Sequence, residues 1–569
     1  MTFKPSIADQ RRALLHAAGI DELAMSTRFA AASPDMVEAV LEGAGAFAAG
    51  AWAPLSRIGD TVGAKWTPQG VTMPPGYPQA YRNYVEGGWG TIGVAEDWQG
   101  QGLPFALQTA VLEALGTANP ALALCPTLTY GAIEALQHHG TPEQQAAYLS
   151  KLASGEWTGT MNLTEAQAGS DVGALRAVAT PRGDGSWSIK GTKIFISFGD
   201  HDMAPNIVHL VLARTPDAPR GTRGISLFLV PKYRLDAAGE PGAHNDVRVV
   251  SIEHKMGLHA SPTCVLSFGD EDDCQGELIG VEHGGMRAMF TMMNNARLNV
   301  GLQGVQVAEA ATQAAVAYAL ERVQSPRTGS TSCEPVRIVE HPDVRRMLMR
   351  MKAQTQAARA LVYYAAGQVD RATLGMPGAK ERLEVVTPLA KAHATDLGNE
   401  VASLGIQVHG GMGYIEETGI AQLYRDARIF PIYEGTNGIQ AADLVGRKLG
   451  LDGGAAFSRL IADMRAEVQA RTLSALIDSC DSVGTQLLQA EPNDRLAGSY
   501  PFLTMLAVAV CGWLLERQGR AVGDEASATT RAVARFYIEW IVPEAIGLGA
   551  AASAGAELLY SLKAEEFAA

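Results

Sequence analysis

The spacing of apolar residues changes along this chain, and the change restricts the fold more than any single motif does. Up to about residue 160, Ala and Leu recur at helical spacing, as in the segment that begins at Phe105. From about 161 to 280 the apolar segments are short and typical of strands, and helical spacing then returns. Because helices and strands are segregated, the pattern predicts an α+β protein rather than a doubly wound sheet.

Several domains are expected, because 569 residues are too many for one hydrophobic core. The pattern predicts an N-terminal helical domain over 1–160 and a strand-rich domain over 161–280 that forms a small barrel or sandwich. A helical domain over 281–450 and an additional C-terminal helical domain over 456–569 follow. The stretch from Gly450 to Ala455 is interpreted as the linker between these last two.

Glycine and proline give local predictions within this arrangement. The stretch from Gly63 to Tyr81 is expected to be a long structured loop, and so is Ser325 to Pro335. The segments on either side of Gly191 are expected to form a hairpin with this glycine in its turn. The apolar segment from Pro501 to Leu515 is too short to cross a bilayer, so it predicts a buried helix.

Composition excludes several classes of function. The chain carries 46 Lys and Arg against 60 Asp and Glu, a net charge of −14, so neither nucleic acid nor membrane is expected as a partner. The cysteines are scattered, which predicts buried free thiols and neither a zinc site nor a disulfide framework. No metal is expected. The N-terminus lacks the apolar core of a signal peptide, so the cytoplasm is the expected location.

The densest unusual motif is QVHGGMGY, which begins at Gln407 and is followed by YRDARIFPIYEGTNGIQ. A helix over about 388–409 is expected to end at the glycine pair 410–411. A second helix is expected to begin after Gly438, with Thr436 or Asn437 as its cap and Gln440 as a capping partner.

Glu434 lies just before this second helix. Burial among its apolar neighbours would raise the pKa of its carboxyl group, and the helix N-terminus would lower it. A general base requires such tuning. The alternative is a carboxylate that only marks the start of a helix, and position by itself favours that alternative.

Two other segments place polar residues in unusual settings. Arg297 lies on the apolar stripe of a predicted helix, where it either has a buried partner or extends to the edge. The loop LTEAQAGSD, which begins at Leu163, has small and hydroxyl residues that can present N–H groups to an anion such as phosphate. Most such loops are ordinary turns.

Together these segments, from about residue 30 to about 450, resemble the acyl-CoA dehydrogenase family. The motifs PLSRIGD from Pro54, FGDHD from Phe198 and GISLFLVPK from Gly224 are most similar to a branch with an extra C-terminal helical region. The resemblance implies an N-terminal helical domain, a central β-barrel, a C-terminal four-helix bundle and an extra C-terminal helical domain. It also implies bound FAD and a homo-oligomer, with a dimer favoured, and it reverses the interpretation of Glu434 in favour of the catalytic base.

The resemblance assigns roles to individual residues. Contacts with FAD are implied at Leu163, Thr164, Ser170, Phe195, Ser197, Arg322, Gln407, Gly410, Gly411 and Thr436. Contacts with the substrate are implied at Ser170, Asn294, Arg297, Tyr433 and Gly435.

The sequence departs from the family pattern in three places. Phe195 and Ser197 stand where the family often has Trp and Thr, which preserves an aromatic ring and a hydroxyl group. Ala166 replaces a common proline, and Ser325-Pro326 replaces the usual Phe-Gly after Arg322.

The implied reaction is the FAD-dependent α,β-dehydrogenation of an acyl-CoA to the 2-enoyl-CoA. The substrate would be 3-(methylthio)propanoyl-CoA or a short- or medium-chain fatty acyl-CoA, and electron-transferring flavoprotein would accept the electrons. One alternative is an acyl-CoA oxidase, which passes electrons to oxygen. A second is a DNA-binding relative of the same fold, whose added domain should be basic. Residues 451–569 instead hold 9 Lys and Arg against 15 Asp and Glu.

Overall fold

The computed structural model describes residues 3–521 and 525–568. Its strands are β1 Lys65–Thr67, β2 Gly70–Thr72, β3 Thr158–Asn162, β4 Val178–Pro181, β5 Trp187–Ser197, β6 Ile207–Arg214, β7 Ile225–Pro231, β8 Tyr233–Leu235, β9 Pro241–His244, β10 Val247–Ile252, β11 Thr263–Phe268 and β12 Gln275–Ile279. Its α-helices are α1 Ile7–Ala13, α2 Ile20–Ala24, α3 Pro34–Phe47, α4 Ser56–Val62, α5 Tyr77–Glu86, α6 Phe105–Ala118, α7 Pro120–His139, α8 Pro142–Ser154, α9 Gly285–Glu321, α10 Pro342–Thr373, α11 Ala379–His409, α12 Ile420–Ala427, α13 Asn437–Asp443, α14 Ala455–Glu467, α15 Arg471–Gln489, α16 Pro492–Ala497, α17 Ser499–Arg520, α18 Glu525–Phe536, α19 Val542–Ile546 and α20 Gly549–Ala552.

The chain forms two compact units. The first, called the helical unit below, contains the residues up to Gly43, Pro104–Glu113 and the chain from Arg297 onward. The second, called the barrel unit, contains Ala44–Leu103 and Ala114–Ala296. Helices precede and follow the strand-rich region, so the order predicted from apolar spacing is confirmed.

The barrel unit contains a closed ring of strands. β5 pairs with β12, β12 with β7, and β7 with β6, and the short β4 closes the ring between β6 and β5. β7 is buried along its whole length and β6 along nearly all of it. Strands covered on both faces have continuous apolar runs rather than alternation. Of the two architectures predicted from the sequence, the barrel is therefore the correct one.

The hairpin predicted at Gly191 is wrong, because β5 runs without a turn from Trp187 to Ser197. Gly191 has a φ of 152°, and a Cβ at this position would lie 2.8 Å from the Cβ of Ala177. The glycine therefore permits the chain that leads into β4 to approach β5 closely. Close approach of another backbone, and not only a turn, can place glycine within a strand.

The long loop predicted from Gly63 to Tyr81 instead contains the β1–β2 hairpin and the start of α5. The N–H of Val71 donates to Asp200 Oδ2 at 2.9 Å, and the N–H of Met73 donates to Asp202 Oδ1 at 3.0 Å. These two aspartates belong to the FGDHD motif. The hairpin is thus held by residues far away in sequence, which local composition could not indicate.

The helical unit is built on the long helices α10 and α11 with the second half of α9. A Cβ at Gly398 of α11 would lie 2.8 Å from the carbonyl oxygen of Gly304 on α9, so these helices meet backbone to backbone. α11 ends at His409 as predicted, and Gly410 follows with a φ of 60°. It begins at Ala379, earlier than predicted, because Pro388 is accommodated inside the helix.

The extra C-terminal region, α14 to α20, packs on the same helical unit. Its central helix α17 contacts α10, α11 and α13 of the bundle as well as α15 and α18. Among the described residues, α17 alone is long and apolar enough to span a membrane, and 78% of its apolar window is buried inside the protein. The prediction of a buried helix here is confirmed.

The described cysteines form no disulfide. Cys125, Cys264, Cys274, Cys480 and Cys511 are buried, as predicted. Cys333 is exposed, so the prediction is wrong at this position. It lies in the segment 325–335, which has neither helix nor strand to cover it.

Candidate active site

The turn before α13 holds Glu434 in an unusual backbone conformation. Glu434 has a φ of 56° and Gly435 one of 83°, a left-handed region that residues with a Cβ seldom adopt. Thr436 caps the helix, since its Oγ1 accepts a hydrogen bond from the N–H of Ile439 at 3.2 Å. α13 therefore begins at Asn437, earlier than predicted.

Of the two predicted caps, the structure selects Thr436. The predicted capping partner Gln440 does not complete a capping box. Its Nε2 donates instead to the carbonyl oxygen of Gly435 at 3.4 Å. The φ of 83° at Gly435 is a conformation that residues with a Cβ seldom adopt, so the turn favours glycine at that position.

The carboxyl group of Glu434 is only partly accessible, and within residues 3–521 and 525–568 it has no hydrogen-bond partner. Burial raises its pKa above the ordinary value, while the charges of Arg297 and Lys391 act in the opposite direction. A carboxyl group whose pKa is displaced upward, and whose oxygens are free, can accept a proton from a bound molecule.

Arg297 is 6% exposed, so it does not extend to the edge of its helix. Burial lowers its pKa, and the carboxylates of Asp443 and Glu434 oppose that effect. In the described part of the chain its Nε has no hydrogen-bond partner. A buried donor without an acceptor is costly unless a ligand supplies one. The side chain of Arg297 is therefore buried near two carboxylates and does not extend to the protein surface.

The other predicted substrate residues differ in their surroundings. The hydroxyl of Tyr433 donates to Gln303 Oε1, and its ring stacks on Phe430 with centroids 6.1 Å apart. Asn294 is half-buried on α9, within the barrel unit. Ser170, also in the barrel unit, is exposed.

The loop after β3 places Leu163 and Thr164 at partly exposed positions. It is held by a buried ion pair, in which Lys193 Nζ donates to Glu165 Oε1 at 2.8 Å and to the carbonyl oxygen of Leu163 at 3.1 Å. Glu165 Oε2 also accepts the N–H of Arg176 at 2.7 Å. Sequence reasoning did not identify this pair, although a lysine inside an apolar strand is a signal that could have found it.

Phe195 lies at a bulge in β5, where the pairing with β11 shifts between Cys264 and Leu266. Its φ is 61° and its side chain is 60% exposed, so a large aromatic ring faces outward from the barrel. Ser197, two residues further on, is half-buried. The bulge and the exposed ring together form a platform on which a planar ligand can stack.

The remaining predicted cofactor residues lie at two helix ends in the helical unit. Arg322 follows α9, and Gln407 lies near the end of α11. The two ends meet, because Tyr318 stacks on His409 with ring centroids 4.3 Å apart. A Cβ at Gly410 or Gly411 would meet nothing within 4 Å, and both glycines are exposed. This surface is therefore open to a ligand or a partner.

A cleft of about 430 Å³ in the barrel unit was not predicted. Its lining includes the cations Arg223 and Arg287, His283, and one acid, Glu282. Two arginines and a histidine at one cleft can bind phosphate groups. The sequence offered no motif for it, because the residues come from two segments about sixty positions apart.

Comparison with protein-family models gives four matches along the chain. They are "Acyl-CoA dehydrogenase, N-terminal domain" over residues 38–156, "middle domain" over 160–270, "C-terminal domain" over 283–449, and "Acetyl-CoA dehydrogenase C-terminal like" over 454–563. The chain belongs to the acyl-CoA dehydrogenase family. The resemblance inferred from the motifs, including the extra C-terminal region, is confirmed.

Three similar proteins illustrate this relationship. A 3-methylmercaptopropionyl-CoA dehydrogenase of Ruegeria pomeroyi is 44% identical over 535 residues, covering 90% of each chain. A butyryl-CoA dehydrogenase of Syntrophomonas wolfei is 39% identical, covering 72% of this chain and 70% of the relative. A solved structure of an electron transferring flavoprotein of Acidaminococcus fermentans contains a chain that is 28% identical, with a TM-score of 0.62, over 74% of this chain and 99% of that one.

As a member of the family, this acyl-CoA dehydrogenase is an FAD-dependent oxidoreductase that dehydrogenates acyl-CoA thioesters. The residues at the predicted positions are of the chemical types that can contact a flavin cofactor. The barrel unit offers the exposed ring of Phe195 and the hydroxyls of Thr164 and Ser197, and the helical unit offers Thr436 and the open glycine pair after α11.

Proposed function

We propose that Glu434 is the base that removes the α-proton of the acyl-CoA thioester. The observation that carries this proposal is a partly buried carboxyl group, with a raised pKa and no hydrogen-bond partner in the described chain, at a left-handed turn. Arg297 and Lys391 keep a fraction of this carboxyl ionised despite burial, as a base must be. The neighbouring N–H groups of the turn can stabilise charge that develops on the thioester oxygen.

We propose contacts with the cofactor at the residues that the family resemblance assigns. FAD, when bound, would supply the acceptor for the hydride of the β-carbon. The proposed residues are Leu163, Thr164, Ser170, Phe195, Ser197, Arg322, Gln407, Gly410, Gly411 and Thr436.

For the acyl group, we favour a short chain. The names of the relatives from R. pomeroyi and S. wolfei refer to 3-methylmercaptopropionyl-CoA and butyryl-CoA, which are both short acyl thioesters. Proposed substrate contacts are Ser170, Asn294, Arg297, Tyr433 and Gly435. The cationic cleft of Arg223, His283 and Arg287 is proposed to bind the phosphate groups of CoA.

The remaining proposals concern partners and location. Electron-transferring flavoprotein is proposed as the electron acceptor, supported by the similar chain from A. fermentans. A homodimer is proposed because exposed apolar side chains lie on the last turns of α9 and just beyond its end, namely Val316, Leu320 and Val323. The cytoplasm is proposed as the location because the buried cysteines are free thiols, as is usual in a reducing compartment.

The direct test is anaerobic titration of the purified flavoprotein with a panel of acyl-CoAs, monitored by loss of flavin absorbance. Rapid bleaching by 3-(methylthio)propanoyl-CoA or butyryl-CoA, and not by the free acids, is expected. Absence of bleaching by every acyl-CoA would refute the proposal. Peroxide formed per turnover in air separates this dehydrogenase from an oxidase, which would produce one peroxide for each product.

A further inference from the structure

A lysine with no exposed surface lies on α11 behind the base. Lys391 Nζ donates to Asn437 Oδ1 at 2.8 Å, its one hydrogen bond to the described chain. Burial lowers its pKa to about 7, although the charges of Glu434 and Asp396 act to raise it. A buried amine that is not needed for a tight ion pair is expensive to keep, which suggests a role in the reaction.

Asn437 connects this lysine to the turn that carries the base. It is the first residue of α13, three positions after Glu434, and it is 3% exposed. Its Nδ2 donates to the carbonyl oxygen of Ala392 at 3.0 Å and to Asp396 Oδ1 at 2.8 Å. Its N–H donates to the carbonyl oxygen of Pro431 at 2.9 Å. The side chain of Asn437 thus joins the start of α13 to α11, and its backbone N–H closes the turn that carries Glu434.

The extra C-terminal region reaches the same network. The hydroxyl of Tyr500, at the start of α17, donates to Asp396 Oδ2 at 2.7 Å. Asp396 therefore accepts one hydrogen bond from the base-carrying segment and one from the additional domain. The contact joins α17 to α13 through a single carboxylate, and the two helices also pack directly.

We infer that Lys391 is a positioning residue that holds the turn of Glu434 through Asn437 and presents its positive charge to that carboxyl group, and that Tyr500 of the extra C-terminal region completes this support through Asp396. The inference depends on the proposed role of Glu434 as the base. It gives the additional domain a function in the reaction, namely to hold the base-carrying turn from behind.

The charges around the base determine what the support does. The groups that act on Glu434 are Arg297 from α9 and Lys391 from α11. The carboxylates of Glu434 and Asp396 raise the pKa of Lys391, and the like charge of Arg297 lowers it. Because Lys391 titrates near neutral pH, its charge is fully present only on the acid side, where it helps to keep Glu434 ionised.

The main test is Lys391→Met, which keeps length and removes charge. Without the ammonium the pKa of Glu434 rises, so the acid limb of the kcat/KM profile should move upward by about one pH unit. On that limb the rate should fall about tenfold. KM should stay within about twofold, because the lysine acts on the base rather than on substrate binding. A purely structural lysine would lower flavin content or Tm without moving the limb.

A second test compares Tyr500→Phe with Tyr364→Phe as its matched control. This comparison remains informative even if Lys391→Met does not fold. Tyr364 of α10 also packs against the extra region, edge-on to Trp513, and its hydroxyl accepts one 2.7 Å hydrogen bond from Arg382. Each variant loses one hydroxyl at the same kind of interface. Tyr500→Phe should lower kcat by about two- to tenfold, as expected for one hydrogen bond, whereas Tyr364→Phe should leave kcat unchanged.

The inference is overturned if Tyr500→Phe and Tyr364→Phe have the same kcat, or if folded, flavin-containing Lys391→Met has the wild-type pH profile. These results leave the proposed function intact as long as the wild-type flavin is bleached by an acyl-CoA and Glu434→Gln is inactive. An active Glu434→Gln would instead remove the base assignment on which the inference depends.

Discussion

Two glutamates in this protein lie near buried lysines, and the protein holds them differently. In the barrel unit, Glu165 accepts Lys193 Nζ at 2.8 Å and the N–H groups of Arg176 and Ala177. Burial would raise its pKa, but the charge of Lys193 and these hydrogen bonds lower it. In the helical unit, Glu434 has no donor among the described residues, and burial keeps its pKa raised.

The difference lies in the number of donors that meet each carboxylate. Hydrogen bonds to the charged form fix Glu165 as an anion, so it can anchor the loop of Thr164 and cannot readily exchange a proton. Lys391 donates to Asn437 and not to Glu434. Glu434 therefore lies in the field of Lys391 without a hydrogen bond to it, which leaves its oxygens free for the proposed role as base.

The largest expected effect comes from Glu434→Gln. The amide cannot accept the α-proton, so turnover should fall by about 10²–10⁴-fold, while FAD remains bound. Tm should not fall, because the variant removes a buried ionisable group and Lys391 can lose its proton when the nearby carboxylate is absent. Steady-state rates, flavin absorbance and thermal melts measure the three quantities. Near-wild-type turnover would show that Glu434, like Glu165, does not accept a proton in the reaction.

The corresponding change in the barrel unit is Lys193→Met, which leaves Glu165 buried and without its cation. Breaking a buried pair in this way costs about 3–5 kcal/mol. We expect a large loss of unfolding free energy in denaturant titrations and loss of FAD, because the loop of Leu163 and Thr164 is no longer held. Lys190→Met, an exposed lysine on the same strand, is the control and should be near neutral. Equal effects of the two changes would contradict the anchor role.

The two carboxyl groups should also give opposite pH dependences of stability. Because the folded-state pKa of Glu434 is raised, its ionisation opposes folding, and this penalty grows as pH rises from the ordinary pKa through the folded one. Glu165 has a lowered folded-state pKa, so its stabilisation is present above the ordinary pKa and is lost as pH falls. A difference of one pH unit between the folded and unfolded pKa corresponds to about 1.4 kcal/mol of unfolding free energy.

Unfolding free energies of wild type, Glu434→Gln and Glu165→Gln, measured across the acid and neutral range, test these signs. Relative to wild type, Glu434→Gln should gain stability as pH rises. Glu165→Gln should lose it over the same range. Parallel curves for the two variants would show that both glutamates are structural.

The smallest expected effect concerns Thr436, the helix cap that follows Glu434. Thr436→Ala removes the acceptor for the N–H of Ile439 and should cost about 1 kcal/mol of unfolding free energy. Thr436→Ser should restore it. A loss of FAD affinity in the alanine variant that serine rescues would connect the hydroxyl to the cofactor, whereas unchanged affinity would limit Thr436 to its capping role.

The domain order could be predicted from the sequence because the apolar period separates helices from strands. The YEGT motif at a helix start marked Glu434 as a candidate, but its position alone favoured a structural carboxylate, and the proposed role as base came from the family resemblance. The support of these sites could not be predicted. Lys193 is 28 positions from Glu165, and Tyr500 is 104 positions from Asp396, so only the fold brings each pair together. The turn predicted at Gly191 was wrong for the same reason. This glycine is required by its contact with Ala177, which belongs to another segment, and not by a local turn.

The most direct measurement is exchange of α-hydrogens with solvent. Acetyl-CoA has α C–H bonds and no β-carbon, so its proton transfer can be followed in deuterated water without dehydrogenation. If Glu434 is the base, the wild-type flavoprotein should incorporate deuterium into the acetyl group, and Glu434→Gln should not exceed the uncatalysed rate. Equal exchange by the two proteins would contradict the assignment of Glu434 as the base.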